Sequence, residues 1–285
     1  MFRINLVVVD YDKTTFGIDL KKLRRAINKN TVAIVGSFPN FPHGTIDNIE
    51  EMSKIAEEYK IGLHVDACLG GLLAGFYSHL NCNVSIPKFD FLLPGVTTMS
   101  ADLHKYGLAP KGVSWLLYKN REYRKNQYFI YPRWMGGTYP SPTIAGSRSP
   151  ALMICAYAIM LKLGKNFYAM QAKNIHNMLE TIKDFAKKNF TKIHVIGDPK
   201  ICVIAFTGEK ISLIYDRMST KKWHLNLINN PIGFSIAVNT ANLKMVEENF
   251  CSDLKESYDY VNKTYINIIY KYFFLIKIFI YFLGI

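Results

Sequence analysis

Between residues 19 and 118 the chain alternates helical and strand periodicities. Asp19 to Asn28 spaces Leu20, Leu23 and Ile27 along one helical face. Val32-Ala33-Ile34-Val35 then reads as a buried strand, followed by the turn segment Pro39-Asn40-Phe41-Pro42-His43-Gly44. Asp47 is expected to cap a helix whose inward face is Ile49, Met52, Ala56 and Tyr59. A second strand, Ile61 to Val65, ends at Asp66, and a Gly70-Gly71 step opens a short helix. The apolar runs Phe89 to Leu93, Val96 to Ser100 and Val113 to Tyr118 read as further strands. Ahead of all these, Leu6-Val7-Val8-Val9 is expected to be a buried strand, too short to cross a bilayer. Strand–helix alternation of this kind defines an α/β chain with a mostly parallel sheet and helices on both faces.

From about Ser149 the pattern changes. Two long helical faces follow, Leu152/Cys155/Ile159/Leu163 and Phe167/Met170/Asn174/Met178/Ile182/Phe185. Short strands near Val195, Val203 to Phe206 and Phe234 to Val238 then interleave with helices at Ile211 to Met218 and Leu243 to Tyr260. The expected division is a large domain over 1–148, a small α+β domain over 149–263, and an apolar tail over 264–285. Tyr265 to Ile285 is long enough to cross a membrane at about 1.5 Å per residue. Lys277 in its middle would cost ~2.5–3.5 kcal/mol there. A membrane tail, an interfacial tail and sequence read through past the natural end all remain open.

Composition narrows the class. Of 285 residues, 49% are hydrophobic and 20% charged, which excludes a disordered, collagenous or coiled-coil chain. The net charge of +13 admits nucleic acid, an anionic membrane surface or phosphorylated small molecules as partners. The basic residues are scattered in pairs, without a recognition-helix, RRM or zinc-finger pattern, so no nucleic-acid partner is expected. Cys68, Cys82, Cys155, Cys202 and Cys251 form no CxxC pair and read as reduced thiols in a cytosol-facing protein. No HExxH pattern or other close ligand cluster is present, and no catalytic metal is expected.

Two short stretches carry the chemistry. In Leu63-His64-Val65-Asp66-Ala67 an acidic residue ends a buried strand, where open α/β sheets bind their ligands. The alternative reading of Asp66 is a cap for the next helix. In Ser100-Ala101-Asp102-Leu103-His104-Lys105-Tyr106-Gly107, Lys105 follows an apolar strand and is flanked by His, Tyr and Gly rather than by a charge run. A lysine so placed can lose its proton and attack a carbonyl. A strand-end Asp with a His-Lys pair about 40 residues later is the pattern of pyridoxal-phosphate chemistry. The carboxylate favours a protonated pyridine nitrogen, and the lysine holds the aldehyde as a Schiff base.

The segments HVDACLGG (64–71), VTTMSADLHKYGLAPKG (96–112) and GGTYPSPTIAGSR (136–148) resemble the sphingosine-1-phosphate lyases, within the pyridoxal-phosphate group II decarboxylases. The likeness runs from about Asp10 to Tyr260. It implies the pyridoxal-phosphate-dependent transferase type I fold, with 1–148 as a partial cofactor-binding domain. It implies Lys105 as the Schiff-base lysine, Asp66 as the pyridinium partner, and His104 beside the cofactor phosphate. His64 would lie near the cofactor, and Lys111 would face the substrate phosphate. The loop Ser141 to Arg148 would approach a partner subunit's site, with Ser147 donating to cofactor phosphate and Arg148 binding phosphate or serving structurally.

The implied reaction cleaves a phosphorylated sphingoid base to a fatty aldehyde and phosphoethanolamine, with Lys105 or Tyr106 as the base. The resemblance further implies a homodimer and an endoplasmic-reticulum membrane location with a cytosol-facing site; a cytosolic location is the alternative. The resemblance also implies an upstream portion with a membrane anchor, a glycine-rich phosphate loop and a histidine stacked on the ring; none of it lies before Met1, so the expectation is a partial enzyme. Two rivals stand beside it: an amino-acid decarboxylase of the same superfamily, and a non-catalytic dimerising remnant.

Overall fold

The computed structural model describes residues 3–77 and 85–263. Cys82 and the apolar tail lie outside the described residues.

The first half builds α1 (Leu20–Ala26), β1 (Ala33–Ser37), α2 (Ile49–Tyr59), β2 (Gly62–Asp66), α3 (Gly71–Tyr77), β3 (Val96–Asp102) and β4 (Ser114–Tyr118). These strands form a sheet in the order β1-β2-β3-β4; the first three run parallel and β4 returns antiparallel. Each strand places alternate residues on opposite faces. Ile34, Leu63, Val65 and Met99 face inward and are buried. Against them packs α2 through Ile49, Met52 and Ile55. The helix comes so close to β1 that a Cβ on Gly36 would lie 2.7 Å from Ile49 Cδ1 and 2.8 Å from Met52 Sδ.

The start of α2 departs from the expected cap. Asn48 accepts from the Glu51 N–H at 3.0 Å, whereas Asp47 accepts the part-buried N–H groups of Ile18 and Ser37, at 2.8 and 2.7 Å. Those two backbone donors are partly buried and need an acceptor, so the carboxylate serves tertiary structure instead of the helix end. Leu6 to Val8 form no strand and are exposed, at 87% for Leu6, because no described strand pairs with them. The run 89–93 is a series of turns; Phe89 and Leu93 are buried by packing, Phe89 stacking on Phe38 at 4.0 Å between ring centroids, while Leu92 is exposed.

The second half opens with α4 (Arg121–Lys125) and an exposed hairpin, β5 (Phe129–Trp134) and β6 (Gly137–Ser141). Then α5 (Ala151–Asn189) breaks at Gly164 (φ 72°), so the two expected helical faces belong to two segments meeting at a kink. Its second segment packs on α3, with Tyr168 stacked on Phe76. A four-stranded antiparallel sheet follows, from β7 (Ile193–Val195), β8 (Val203–Gly208), β9 (Asn226–Asn229) and β10 (Ile232–Ala237) in the order β7-β8-β10-β9. α6 (Ile211–Thr220) packs on it, as does α7, which opens at Leu243–Met245, passes a π turn at Val246–Phe250 and continues through 251–263. One apolar core runs through both sheets.

The turn after β1 joins these halves at Gly44, whose φ is +81° and whose Cβ position lies 2.1 Å from Val203 O. An alanine there meets both a disfavoured backbone conformation and a carbonyl. Gly44→Ala is expected to cost ~3 kcal/mol or more and to lower the thermal midpoint by about 5–10 °C. Calorimetry of the folded chain reads this directly, and an unchanged midpoint contradicts the packing described.

Candidate active site

The outward face of the first sheet is where polar side chains collect. His64 pairs across with Thr98, Asp66 with Ser100, and Asp102 with Ser114, so the two-residue period of β2, β3 and β4 lines these groups along one face. Among the described residues no helix covers that face, and Val35 on it stands 63% exposed. The carboxyl ends of β2 and β3 are joined by backbone bonds: Ala67 N–H donates to Ser100 O at 3.0 Å and Asp102 N–H to Cys68 O at 3.2 Å. On the other side Phe38 N–H donates to Asp66 O at 2.8 Å. The turn that carries Asp66 is therefore held from both neighbours.

Asp66 is exposed and accepts from Cys68 N–H at 3.1 Å and from Ser100 Oγ–H at 3.2 Å. Partial burial pushes its carboxyl up, but the hydrogen bonds from Cys68 and Ser100 outweigh it and leave the group below the ordinary 3.8. It is thus an anion at neutral pH. Cys68 donates to Ser100 Oγ at 3.3 Å, and burial beside Asp66 pushes its thiol up to about 11. His64 is half-buried with Nδ1 2.8 Å from Thr98 Oγ1; burial moves it below the ordinary 6.5, against a smaller opposing pull from Asp66.

The loop between β3 and β4 presents Lys105. Leu103 and Tyr106 on either side of the His-Lys pair are buried, which anchors the loop and leaves Lys105 facing out. Lys105 Nζ lies 2.8 Å from Asp102 Oδ2, and His104 Nε2 lies 3.6 Å from the same oxygen. His104 Nδ1 is 2.8 Å from Val113 O, and Ser114 Oγ–H donates to Asp102 Oδ1. Burial raises the Asp102 carboxyl, yet the bonds from Lys105 and Ser114 bring it below 3.8.

Sequence reasoning is corrected at Tyr106. Its hydroxyl is buried, donates to Val238 O at 3.0 Å and is pushed well above 10.0 by desolvation. It therefore joins the two sheets and is not offered as a base on the open face. Lys111 is exposed past the loop and makes no ion pair among the described residues. Ser147 and Arg148 are exposed in the segment after the hairpin, and no described contact brings them to Asp66 or Lys105. Asp102, Ser114, Thr98 and Ser100 were given no role by the sequence reading. The polar alternation Thr98, Ser100, Asp102 within an apolar strand is the signal that points to them.

A carboxylate and a lysine on adjacent strand ends, linked through Ser100, Cys68 and Asp102 and both open to solvent, fit the donor set of a pyridine-ring aldehyde cofactor. A separate surface hollow of about 440 Å³ lies at β4 and α4, lined by Leu116, Tyr118, Arg121, Arg124 and Gln127 among others, and contains none of these groups.

The fold and the site together define a pyridoxal-phosphate-dependent enzyme fold of type I. The chain belongs to the pyridoxal-dependent decarboxylase family: the model of that conserved domain matches residues 1–208. It is 42% identical over 257 residues to a sphingosine-1-phosphate lyase of Dictyostelium discoideum, covering 90% of this chain and 48% of that one. A sphingosine-1-phosphate lyase of Oryza sativa is 45% identical over 250 residues, covering 86% and 45%. A solved sphingosine-1-phosphate lyase of Burkholderia pseudomallei superposes with a TM-score of 0.85 at 35% identity, over 94% of this chain and 61% of that one. The chain spans about half the length of the curated relatives it matches.

His64 provides a test of this geometry. Its folded value lies below 6.5, so between the two values the unfolded chain binds a proton that the folded chain refuses. The stability linked to His64 is full above pH 6.5 and declines as pH falls below it. An NMR titration of the His64 ring is expected to show a midpoint below 6.5, and Thr98→Val is expected to shift that midpoint.

Proposed function

We propose that this chain carries the lysine-bearing part of a pyridoxal-phosphate-dependent carbon–carbon lyase that cleaves phosphorylated long-chain bases to a fatty aldehyde and phosphoethanolamine. The observation that carries the reading is the placement of Asp66 and Lys105 on adjacent strand ends of one sheet face. It is supported by 35–45% identity to lyases of this name. Pyridoxal phosphate supplies, when bound, an aldehyde that amines capture and a ring that takes up the electrons of a breaking bond.

Lys105 provides the amine that fastens the cofactor and, when free, a group able to move a proton at Nζ. Asp66 stays ionised and offers its charge to the ring nitrogen, and each pKa unit of that stabilisation is worth about 1.36 kcal/mol. His64 and His104 border these groups, their rings held by Thr98 and Val113. Lys111 and Arg148 supply cationic charge for a substrate phosphate, and Ser147 a hydroxyl donor. With Tyr106 occupied in the core, Lys105 is the base that this reading favours.

A homodimer belongs to the same reading. It is supported by the exposed apolar side chains of the hairpin and the first segment of α5, among them Phe129, Ile130, Trp134, Ile154, Tyr157 and Leu161. Location at an endoplasmic-reticulum membrane with the site facing the cytosol rests on the resemblance. Among the described residues no helix is long and apolar enough to cross a membrane.

The test is borohydride trapping of the chain mixed with pyridoxal phosphate, followed by assay with a phosphorylated long-chain base. The expected result is one adduct, on Lys105, absent in Lys105→Ala, with aldehyde release. Lys111→Ala is expected to raise KM about tenfold, the loss of one charge-assisted contact. An adduct elsewhere overturns the assignment of Lys105. Carbon dioxide from an amino acid, with no aldehyde from the lipid, identifies a decarboxylase instead.

A further inference from the structure

We infer that Asp102 is the positioning residue for Lys105: its carboxylate, clamped by Ser114, holds the Lys105 ammonium whenever that nitrogen is not bonded to the cofactor. The inference rests on the reading of Lys105 as the cofactor-bearing lysine.

Asp102 is the last residue of β3, with a side chain only 10% exposed, while that of Lys105 is 35% exposed. Its carboxylate meets two hydrogen-bond donors from two directions, with the His104 ring beyond hydrogen-bond reach. Ser114, the first residue of β4, donates to Oδ1; Lys105 Nζ at 2.8 Å and the ring of His104 at 3.6 Å face Oδ2. The His104 ring is itself fixed through Nδ1 to Val113 O.

The ordinary explanation for an Asp at such a place is a turn cap, and the contacts argue against it. Asp12, Asp19 and Asp47 spend their carboxylates on backbone N–H groups. The carboxylate of Asp102 accepts only from side chains, and the turn at Lys105 is closed instead by Lys105 N–H to Asp102 O at 3.4 Å. A pair of exposed charges also fails as an explanation. Lys125 and Glu122, 70% and 77% exposed, form such a pair, in which solvent and side-chain freedom cancel most of the attraction. Asp102 is withdrawn from water and fixed by a hydroxyl before Lys105 reaches it, so the lysine docks on a preformed acceptor.

A lysine side chain has four rotatable bonds, and one freed from its cofactor would otherwise sweep through solvent. Held on Oδ2 it stays beside the strand end whose backbone is laced to Cys68 and thereby to the turn of Asp66. Lys105 and Asp66 then keep one register whether or not the lysine is bonded.

The experiment is pyridoxal-phosphate labelling with borohydride trapping, read by peptide mass spectrometry as the ratio of adduct on Lys105 to adduct on Lys29, an exposed lysine after α1. The wild-type chain is expected to favour Lys105. Asp102→Asn is expected to lower the ratio about tenfold, because the freed amine is no longer held at the strand end beside the turn of Asp66, and Ser114→Ala about threefold. Asp102→Glu, which keeps the charge, is expected to recover part of the loss; a purely structural role for Asp102 predicts no such recovery. An unchanged ratio in Asp102→Asn overturns the inference. Should that variant fail to fold, an unchanged ratio in Ser114→Ala, altered at an exposed position, overturns it. Equal labelling of Lys105 and Lys29 in the wild type removes the Lys105 reading and this inference with it, whereas a preference that survives Asp102→Asn removes only the second.

Discussion

The register of β3 against β2 is the constraint on which the rest depends. With Asp66 opposite Ser100, every polar group of the site falls on the outward face and every large aliphatic residue of β2 on the inward one. A slip of one residue would drive Asp66 under α2 and expose Leu63 and Val65. The inward side resists it, because Leu63, Val65, Ile49 and Met52 are essentially inaccessible to solvent. The outward side resists it through the backbone bonds that join Ala67 to Ser100 and Asp102 to Cys68. Core packing and site geometry are thus one constraint seen from opposite faces of the sheet.

Much of this was legible in the sequence, for an identifiable reason. Where one periodicity ran uninterrupted between turn residues, as in α2, β2, β3 and α6, the element appeared where expected, because burial on one face alone explains the pattern. Where an apolar run was short, hydropathy reported burial without reporting conformation. Phe89 and Leu93 are buried from turns, and Val7 and Val8 are exposed with no described partner strand. The hairpin of β5 and β6 gave no strand signal, since both faces are exposed and Pro132 and Pro140 interrupt it. Type and spacing single out Asp66, His64 and Lys105, which the structure places on β2 and in the loop after β3. Asp102 was passed over because an acid three residues before a lysine is, in sequence, indistinguishable from a solvated pair. Tyr106 shows the converse: adjacency to Lys105 suggested chemistry, while the loop turns neighbouring side chains in opposite directions.

The two sheets divide the labour. The antiparallel sheet contributes no group to the site, yet it fixes the loop that does. Val238 takes the Tyr106 hydroxyl at 3.0 Å and Tyr168 of α5 donates to Gly107 O at 2.9 Å, pinning the two residues that follow Lys105. Val203 receives the close approach of Gly44 from the turn after β1. The second half of the chain is in this sense the foundation for a loop it never shares a strand with.

The reversal of β4 has a mechanical meaning. Because it runs against β3, its first residue returns to the strand end that the chain has just left, and Ser114 meets Asp102 after the excursion through Lys105. The lysine loop is therefore a closed clasp whose latch is the outermost strand of the sheet. Among the described residues no strand pairs with the outer edge of β4, so the rim of the sheet is tied to the lysine's carboxylate partner through a single hydroxyl.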